Sequence, residues 1–412
     1  MNLVRVTHES IVIGQPLPFA LRDETGVLLA RKGFVIGSRD DLEVLRGRGL
    51  GFFVDVSESE RHQKAFVGKL YELVREERPL GKIAQAQLTT RELSTSRDDT
   101  LDDTPNWLDL QVQGNRLLRD LHAERESFPD DLERLQAQLR RQIRRNPDGA
   151  LFALFHLAAG EIHYYSATHA MLVAVMCSLA AKDVLGWPEQ REETVCKAAL
   201  TMNIGMTGLQ DLLASQVDAP STTQRQLIEA HPARSTALLK QLGLHDPQWL
   251  EAVRDHHITL PGALSTRTPA QQMARLIQRA DTFAAHLAPR TSRRPGTASM
   301  AMQACYFDEN REIDEAGAAL IKAVGVYSPG SLVRLANHEI GIVVRRGANT
   351  TTPRVATLLN RNGIATAEHM VRDTSQRELR ITGSVAAHEC KVQINLDRLL
   401  ALTGGPASGR PW

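Results

Sequence analysis

Apolar residues change their spacing twice along this 412-residue chain, and that switch constrains its fold more than any other feature. From Ile11 to Val56, short β-branched runs alternate with turn residues ("IVIGQPLPFALRDETGVLLARKGFVIGS"), followed by a short helical "RDDLEVLRGRG" and then "FFVDV". This predicts a small β-rich module over residues 1–60. Residues 61–130 carry Phe66, Leu70, Leu73 and Val74 at helical spacing, then the polar, aperiodic "QLTTRELSTSRDDTLDDTPN", which is expected to be a linker. From Trp107 onward helical periodicity dominates, with Leu132, Leu135, Leu139 and Ile143 on one face, and a helical domain is expected over residues 131–328. After Tyr327 the period-two texture returns, broken by Gly, Pro and Asn. It predicts a second β-rich module over residues 329–412, with "GGPASGRPW" as a mobile tail. The expected class is therefore α+β: a central all-α domain flanked by small N-terminal and C-terminal β-rich modules. A chain of this length has room for roughly three such units.

Composition removes several functions. With 49 basic and 48 acidic side chains the net charge is +1, so no global field draws in DNA. Cys177, Cys196, Cys305 and Cys390 are widely spaced and form no C-x-x-C pair, which argues against a disulfide framework or zinc ribbon and for a reducing cytoplasm. The N-terminus lacks a basic start followed by a long apolar stretch, and the strongest apolar run, "AMLVAVMCSLAA", is too short to span a bilayer. Neither secretion nor a membrane partner is expected.

Five polar residues fall on stripes that should face inward. Ser166 is expected to cap a helix over about 167–185, whose inner face carries His169, Val173, Met176 and Ala180. Asp246 and Pro247 form a cap and first turn for "PQWLEAVRDHH", placing His256 with Trp249 and Val253, and His257 beside Leu250 and Val253. Asp281 lies in the stripe Met273, Ile277, Ala280 and Ala284, where a carboxylate needs a partner. His231 precedes Pro232, which is expected to disturb the turn and expose backbone polar groups. A lone inward histidine is ordinarily a hydrogen-bonded core residue, and a lone acid a salt-bridge or cap partner. Four histidines and one acid in a single helical domain instead match the ligand set of divalent transition ions. His163, His245, His286 and His369 have no such setting and are assigned to the surface.

In their order, these elements resemble the HD-GYP subgroup of the HD phosphohydrolase superfamily over about residues 150–330. That family runs from a helix with a single His to "HDIGK", "HP", "HH" leading into a "GYP" loop, and an Asp in a helix. Here "YYSATHAMLVAV", "AALTMNIGMTG", "EAHPARSTALL", "VRDHHITLPG" and "ARLIQRADTFAAHL" occupy those places. The resemblance implies that His169 and Asp281 are ligands of one metal, and His231, His256 and His257 of the other. The family's HD pair falls on Met202 and Asn203, leaving Asn203 a weak ligand at best. Its lysine falls on Met206, and its GYP loop is shortened to Leu260–Gly262. Its later Arg-Pro aligns with Arg294 and Pro295, beside Arg290 and Arg293, which makes Arg294 a substrate-binding candidate in what is otherwise a solvated basic loop.

Two divalent ions a few ångströms apart repel, and an anionic bridging Asp lets them share a site. Asn203 keeps the shape and loses the charge, while Met202 exchanges an imidazole for a thioether. The three remaining histidines suffice for one ion (iron, manganese or zinc), and no metal at all is the other expectation. The reading that follows is a degenerate signalling protein, a cyclic-dinucleotide-related binding or regulatory module with lost or reduced hydrolysis, in which no catalytic residue is assigned. The alternatives are an active metal-dependent cyclic di-GMP phosphodiesterase with a rebuilt histidine-rich centre, and a metal-free signalling scaffold. The flanking modules resemble those of some bacterial signalling proteins, which implies partners such as diguanylate cyclases.

Overall fold

Turn chemistry closes the first sheet: Asp23 Oδ1 accepts from the backbone N–H groups of Thr25 (2.8 Å) and Val27 (2.9 Å), reversing the chain between two short strands. The computed structural model describes residues 3–7, 11–15, 17, 19–46, 51–55, 106–119, 121, 126–160, 164–287, 297–366, 368–386, 389–390, 392 and 394–404. Most of the predicted linker and the C-terminal tail therefore lie outside the described residues. The chain divides into two units, residues 1–112 and 113–412.

In the first unit, β1 (Leu3–Val6), β2 (Leu21–Arg22), β3 (Leu28–Ala30) and β4 (Phe52–Asp55) form an antiparallel sheet in the order β1-β4-β2-β3. Helix α1 (Arg39–Arg46) buries Leu42 and Leu45, and Phe19, Leu21, Ile36 and Phe52 complete the core.

Helix α2 (Trp107–Arg119) leads into the helical domain, which continues with α3 (Phe128–Arg145), α4 (Pro147–Gly160), α5 (Tyr165–Leu179) and α6 (Glu189–Thr201). A 3₁₀ turn (Ile204–Met206) precedes α7 (Thr207–Ser215), α8 (Thr222–Gln241), α9 (Pro247–Asp255), α10 (Pro269–Leu287), α11 (Ala298–Tyr306) and α12 (Glu315–Val324). Every residue of α5 is buried, and the helix packs against α4, α6 and α10. Tyr165–Val184 is long and apolar enough to cross a membrane, longer than the apolar run suggested, yet 83% of its most apolar 18-residue stretch is buried inside the protein. A helix that is apolar all round belongs in a core when its neighbours cover it.

The expected cap at Ser166 is corrected. Helix α5 starts at Tyr165 after Tyr164, whose φ of 57° lies in the left-handed region. Ser166 sits in the first turn, where its N–H (2.9 Å) and Oγ (2.8 Å) both reach Asp211 Oδ1 on α7. The anion at this helix N-terminus thus comes from another helix, and Arg119 holds it at 2.7 Å. Asp246 behaves as expected, accepting from Gln248 N and Trp249 N with Pro247 in the first turn of α9.

Strands β5 (Leu332–Leu335), β6 (Ile340–Arg345), β7 (Arg354–Leu359), β8 (Val371–Asp373) and β9 (Ile381–Ser384) form a second antiparallel sheet, ordered β8-β7-β6-β5-β9 and followed by α13 (Leu396–Thr403). Val333, Leu335, Val343 and Val355 form its core. Polar pins tie this module to the helices: Arg346 Nε to Asp148 (2.5 Å) and Asn146 Nδ2 to Thr403 Oγ1 (2.7 Å). The architecture is a helical domain with small antiparallel sheets on either side in sequence, and all four cysteines are free thiols.

Replacing Asp211 with Ala leaves Ser166 N–H without its acceptor and removes the anion from the start of α5. We expect a loss of about 1–2 kcal/mol, read as a lowered urea midpoint at unchanged slope. An unchanged midpoint would show that α5 needs no such anchor.

Candidate metal centre

Proline has no N–H, so Pro232 deprives Ile228, four residues earlier in α8, of its helical donor. The helix nevertheless continues to Gln241, and the freed Ile228 carbonyl accepts from His231 Nδ1 at 2.5 Å. This corrects the expectation that the turn would expose backbone groups: the adjacent imidazole uses the one that is released. His256 is the C-cap of α9, and its Nδ1 donates to Val253 O, among the last carbonyls of that helix, at 2.7 Å.

A carbonyl only accepts, so the network assigns the proton to Nδ1 in both rings and leaves a lone pair on each Nε2 when the ring is neutral. The two Nε2 atoms lie 3.2 Å apart. Burial, with the neighbouring His257 adding to it, pulls the pKa of His256 down to about 3, and burial is also the main cause of the lowered value at His231. Two neutral acceptors facing one another at that distance have no proton to share. A bound cation satisfies both, and histidine ligands that donate their other nitrogen to a backbone carbonyl are the usual arrangement around metals.

His257 completes the cluster, its ring centroid 4.1 Å from that of His256 and 5.1 Å from that of His231. One ligand nitrogen from each of the three falls within 4.8 Å of the others. His257 is exposed, however, so it forms the solvent rim of the cluster rather than the inward position expected for it.

His169 Nε2 and Asp281 Oδ1 meet at 2.6 Å, with Tyr165 stacked on the His169 ring at 5.9 Å between centroids. Burial alone would raise the Asp281 pKa, but the hydrogen bond and charge of His169 outweigh it and hold the carboxyl well below the usual range. Asp281 keeps 19% of its side-chain surface exposed, so it is less enclosed than its stripe implied. The Asp281 charge opposes the lowering of the pKa at both His231 and His256.

Among the described residues, His231, His256 and His257 form a group able to hold one metal ion. Met202 is fully buried, and Asn203, 8% exposed, has an Oδ1 without a hydrogen-bond partner. A neutral amide oxygen does not supply the shared anion that two bridged dications require.

Gly205, which sequence reasoning passed over, fixes this segment. A Cβ there would stand 2.6 Å from Ser235 N, and the Gly205 N–H donates to Ser235 Oγ at 3.0 Å, so the 3₁₀ turn rests directly on α8 one turn beyond His231. A glycine between two helical runs and a serine four residues after His231 were the available signals, as was nothing for Asp211. Met206 is half-buried, and the shortened loop is braced by Arg267, which donates to Leu260 O (2.7 Å) and Gly262 O (3.0 Å). Arg290, Arg293, Arg294, Pro295 and His163 lie outside the described residues. His245 is exposed, whereas His286 and His369 are half-buried with Nδ1 on the carbonyls of Thr282 and Thr357, which corrects their assignment to the surface.

No protein-family model matches the chain. Over 219 residues it is 26% identical to a cyclic di-GMP phosphodiesterase of Pseudomonas aeruginosa, covering 52% of each sequence, so the chain spans about half the length of that relative. Among solved structures, an HDG"Y"P protein from Bdellovibrio bacteriovorus aligns with a TM-score of 0.43 at 14% identity, over 77% of this chain and 97% of that one.

Two outcomes test the centre. Pro232→Ala returns an N–H to Ile228 O in competition with His231, and zinc affinity measured against a competing chelator should fall about 10–100-fold with helicity retained; equal affinity would remove Pro232 from the account. In metal-free protein the folded pKa of His256 lies below its unfolded value, so the unfolded chain takes up the proton first as pH falls. Stability is full above about pH 6.5 and is lost toward about pH 3, with about 2 kcal/mol gone by pH 5. Urea unfolding at pH 7 and pH 5 should show that fall, reduced in His256→Gln; an equal fall in both proteins would assign it elsewhere.

Proposed function

From the membership of the HD-GYP superfamily that the sequence likeness supports, we propose that this chain is a degenerate cyclic di-GMP phosphodiesterase-type protein. It binds a cyclic dinucleotide as a regulatory module and has lost most or all hydrolysis. The observation that carries this reading is the contrast between an intact three-histidine cluster and a neutral Met202–Asn203 pair where the family places its bridging acid.

His231, His256 and His257 would hold one divalent transition ion, oriented through the Ile228 and Val253 carbonyls. When bound, such an ion supplies a Lewis-acid position for a phosphate oxygen. The hydrogen bond between His169 and Asp281 ties both side chains to each other at the neighbouring position, and Asn203 adds no charge there. Met206 presents a thioether where the family has a lysine, which weakens the grip on the substrate in the transition state. These losses act on one catalytic unit, so their effects do not divide into independent small decrements.

A second reading, an active enzyme with a rebuilt centre, draws on the same three imidazoles, since three protein ligands with an open position suffice in several hydrolytic sites. Metal analysis of the purified chain together with cyclic di-GMP binding and turnover in manganese or iron separates the two. We expect about one ion per chain, as three-ligand sites hold, saturable nucleotide binding and negligible turnover. His256→Ala should lose the ion, and Met202→His combined with Asn203→Asp should raise metal content and increase turnover on the order of a hundredfold. Robust turnover in the natural sequence that His256→Ala abolishes would establish the second reading. Absence of both metal and nucleotide would leave a metal-free scaffold.

A further inference from the structure

Away from the histidines, a cavity of about 230 Å³ opens between α4, the end of α10, the start of α11 and the C-terminal β module. Phe155, His156, Leu287, Leu332, Val385 and Cys390 stand on its wall, and among the described residues that line it there is no Asp, Glu, Lys or Arg. Interiors are normally packed without such voids, so an open volume of this size invites an occupant.

His156 is the polar feature of the wall. Its ring stacks on Phe152, with centroids 6.5 Å apart, and neither ring nitrogen has a hydrogen-bond partner among the described residues. Burial pulls its pKa down to about 4, so near neutral pH it offers one donor and one acceptor without charge. Burial likewise raises the Cys390 thiol and keeps it protonated. Ser331, also on the wall, is 7% exposed with an unpartnered hydroxyl.

We propose that this cavity is a binding site for a small, uncharged, largely apolar molecule whose single polar end hydrogen-bonds to His156. Size follows from volume: a cavity of about 150 Å³ takes benzene, which scales to about nine or ten non-hydrogen atoms here. The described wall residues offer no counter-charge, so a phosphate or carboxylate would be desolvated against them at a cost that an uncharged molecule avoids. The site is thus distinct in chemistry from a cyclic-dinucleotide site and stands whether or not the reading of the metal centre holds. It also adjoins the helix that carries Asp281: Phe155 packs edge-on against Phe283 of α10 (5.8 Å, 61°), and Leu287 ends that helix.

Calorimetric titration of the full chain with indole, and with indole-3-carboxylate as its charged counterpart, tests the proposal. We expect saturable binding of indole at one molecule per chain, at least tenfold tighter than the carboxylate. His156→Phe should weaken it about tenfold through loss of the hydrogen bond, and Ala159→Leu, which fills the cavity, should abolish it. Circular dichroism confirms that each variant is folded; should Ala159→Leu fail that check, the His156→Phe titration decides alone. No saturable binding of indole, equal binding of the carboxylate, or undiminished binding in His156→Phe would overturn the proposal.

Discussion

Two buried imidazoles present lone pairs to each other across 3.2 Å, and the helical domain is arranged so that neither can turn away. Each ring is held by a backbone carbonyl that helix geometry leaves free, one because Pro232 cannot donate and one because α9 ends. Backbone acceptors orient the rings without adding charge. The cluster is therefore neutral and electron-rich, a state that low-dielectric burial tolerates only when a cation or water divides the lone pairs. His257 at the solvent rim adds a third nitrogen where an ion would enter.

Charge also decides how many ions this scaffold accommodates. On the proposed reading, imidazole ligands leave a dication with its full charge, partly offset by the Asp281 carboxylate, whose charge acts on His231 and His256. On the proposed reading, a second dication would face the first with no shared anion, because Asn203 brings an amide of the same shape and no charge. Packing preserves the framework of the site: Met202 is buried and Gly205 lies against Ser235, so the 3₁₀ turn keeps its place although the chemistry of its side chains has changed.

The C-terminal module is joined to the same helices by Arg346–Asp148 and Asn146–Thr403, and its seam with α4 and α10 holds a cavity with no Asp, Glu, Lys or Arg among its described wall residues. Phe155 links that seam to Phe283, two residues beyond Asp281. The two proposed sites differ in character, one a cluster of imidazole nitrogens and the other a largely apolar cavity beside a single imidazole.

Features set by chain neighbours were legible from the sequence. Alternation and helical spacing marked the sheets and helices, Asp246 with Pro247 marked the start of α9, and the order of the histidines and Asp281 singled out residues that the fold gathers into a trio and a pair, because each depends on residues a few positions apart or on a motif order. Ser166 was misread because its partner, Asp211, arrives on a different helix. Pro232 was misread because a side chain competes for the acceptor it frees, and His257 because only packing shows which of two adjacent imidazoles is covered. Convergence of His169 on Asp281, the facing Nε2 pair and the cavity behind Phe155 depend on contacts between residues far apart in the chain. Spacing specifies which face of a helix is apolar; the docking of several helices specifies what that face meets.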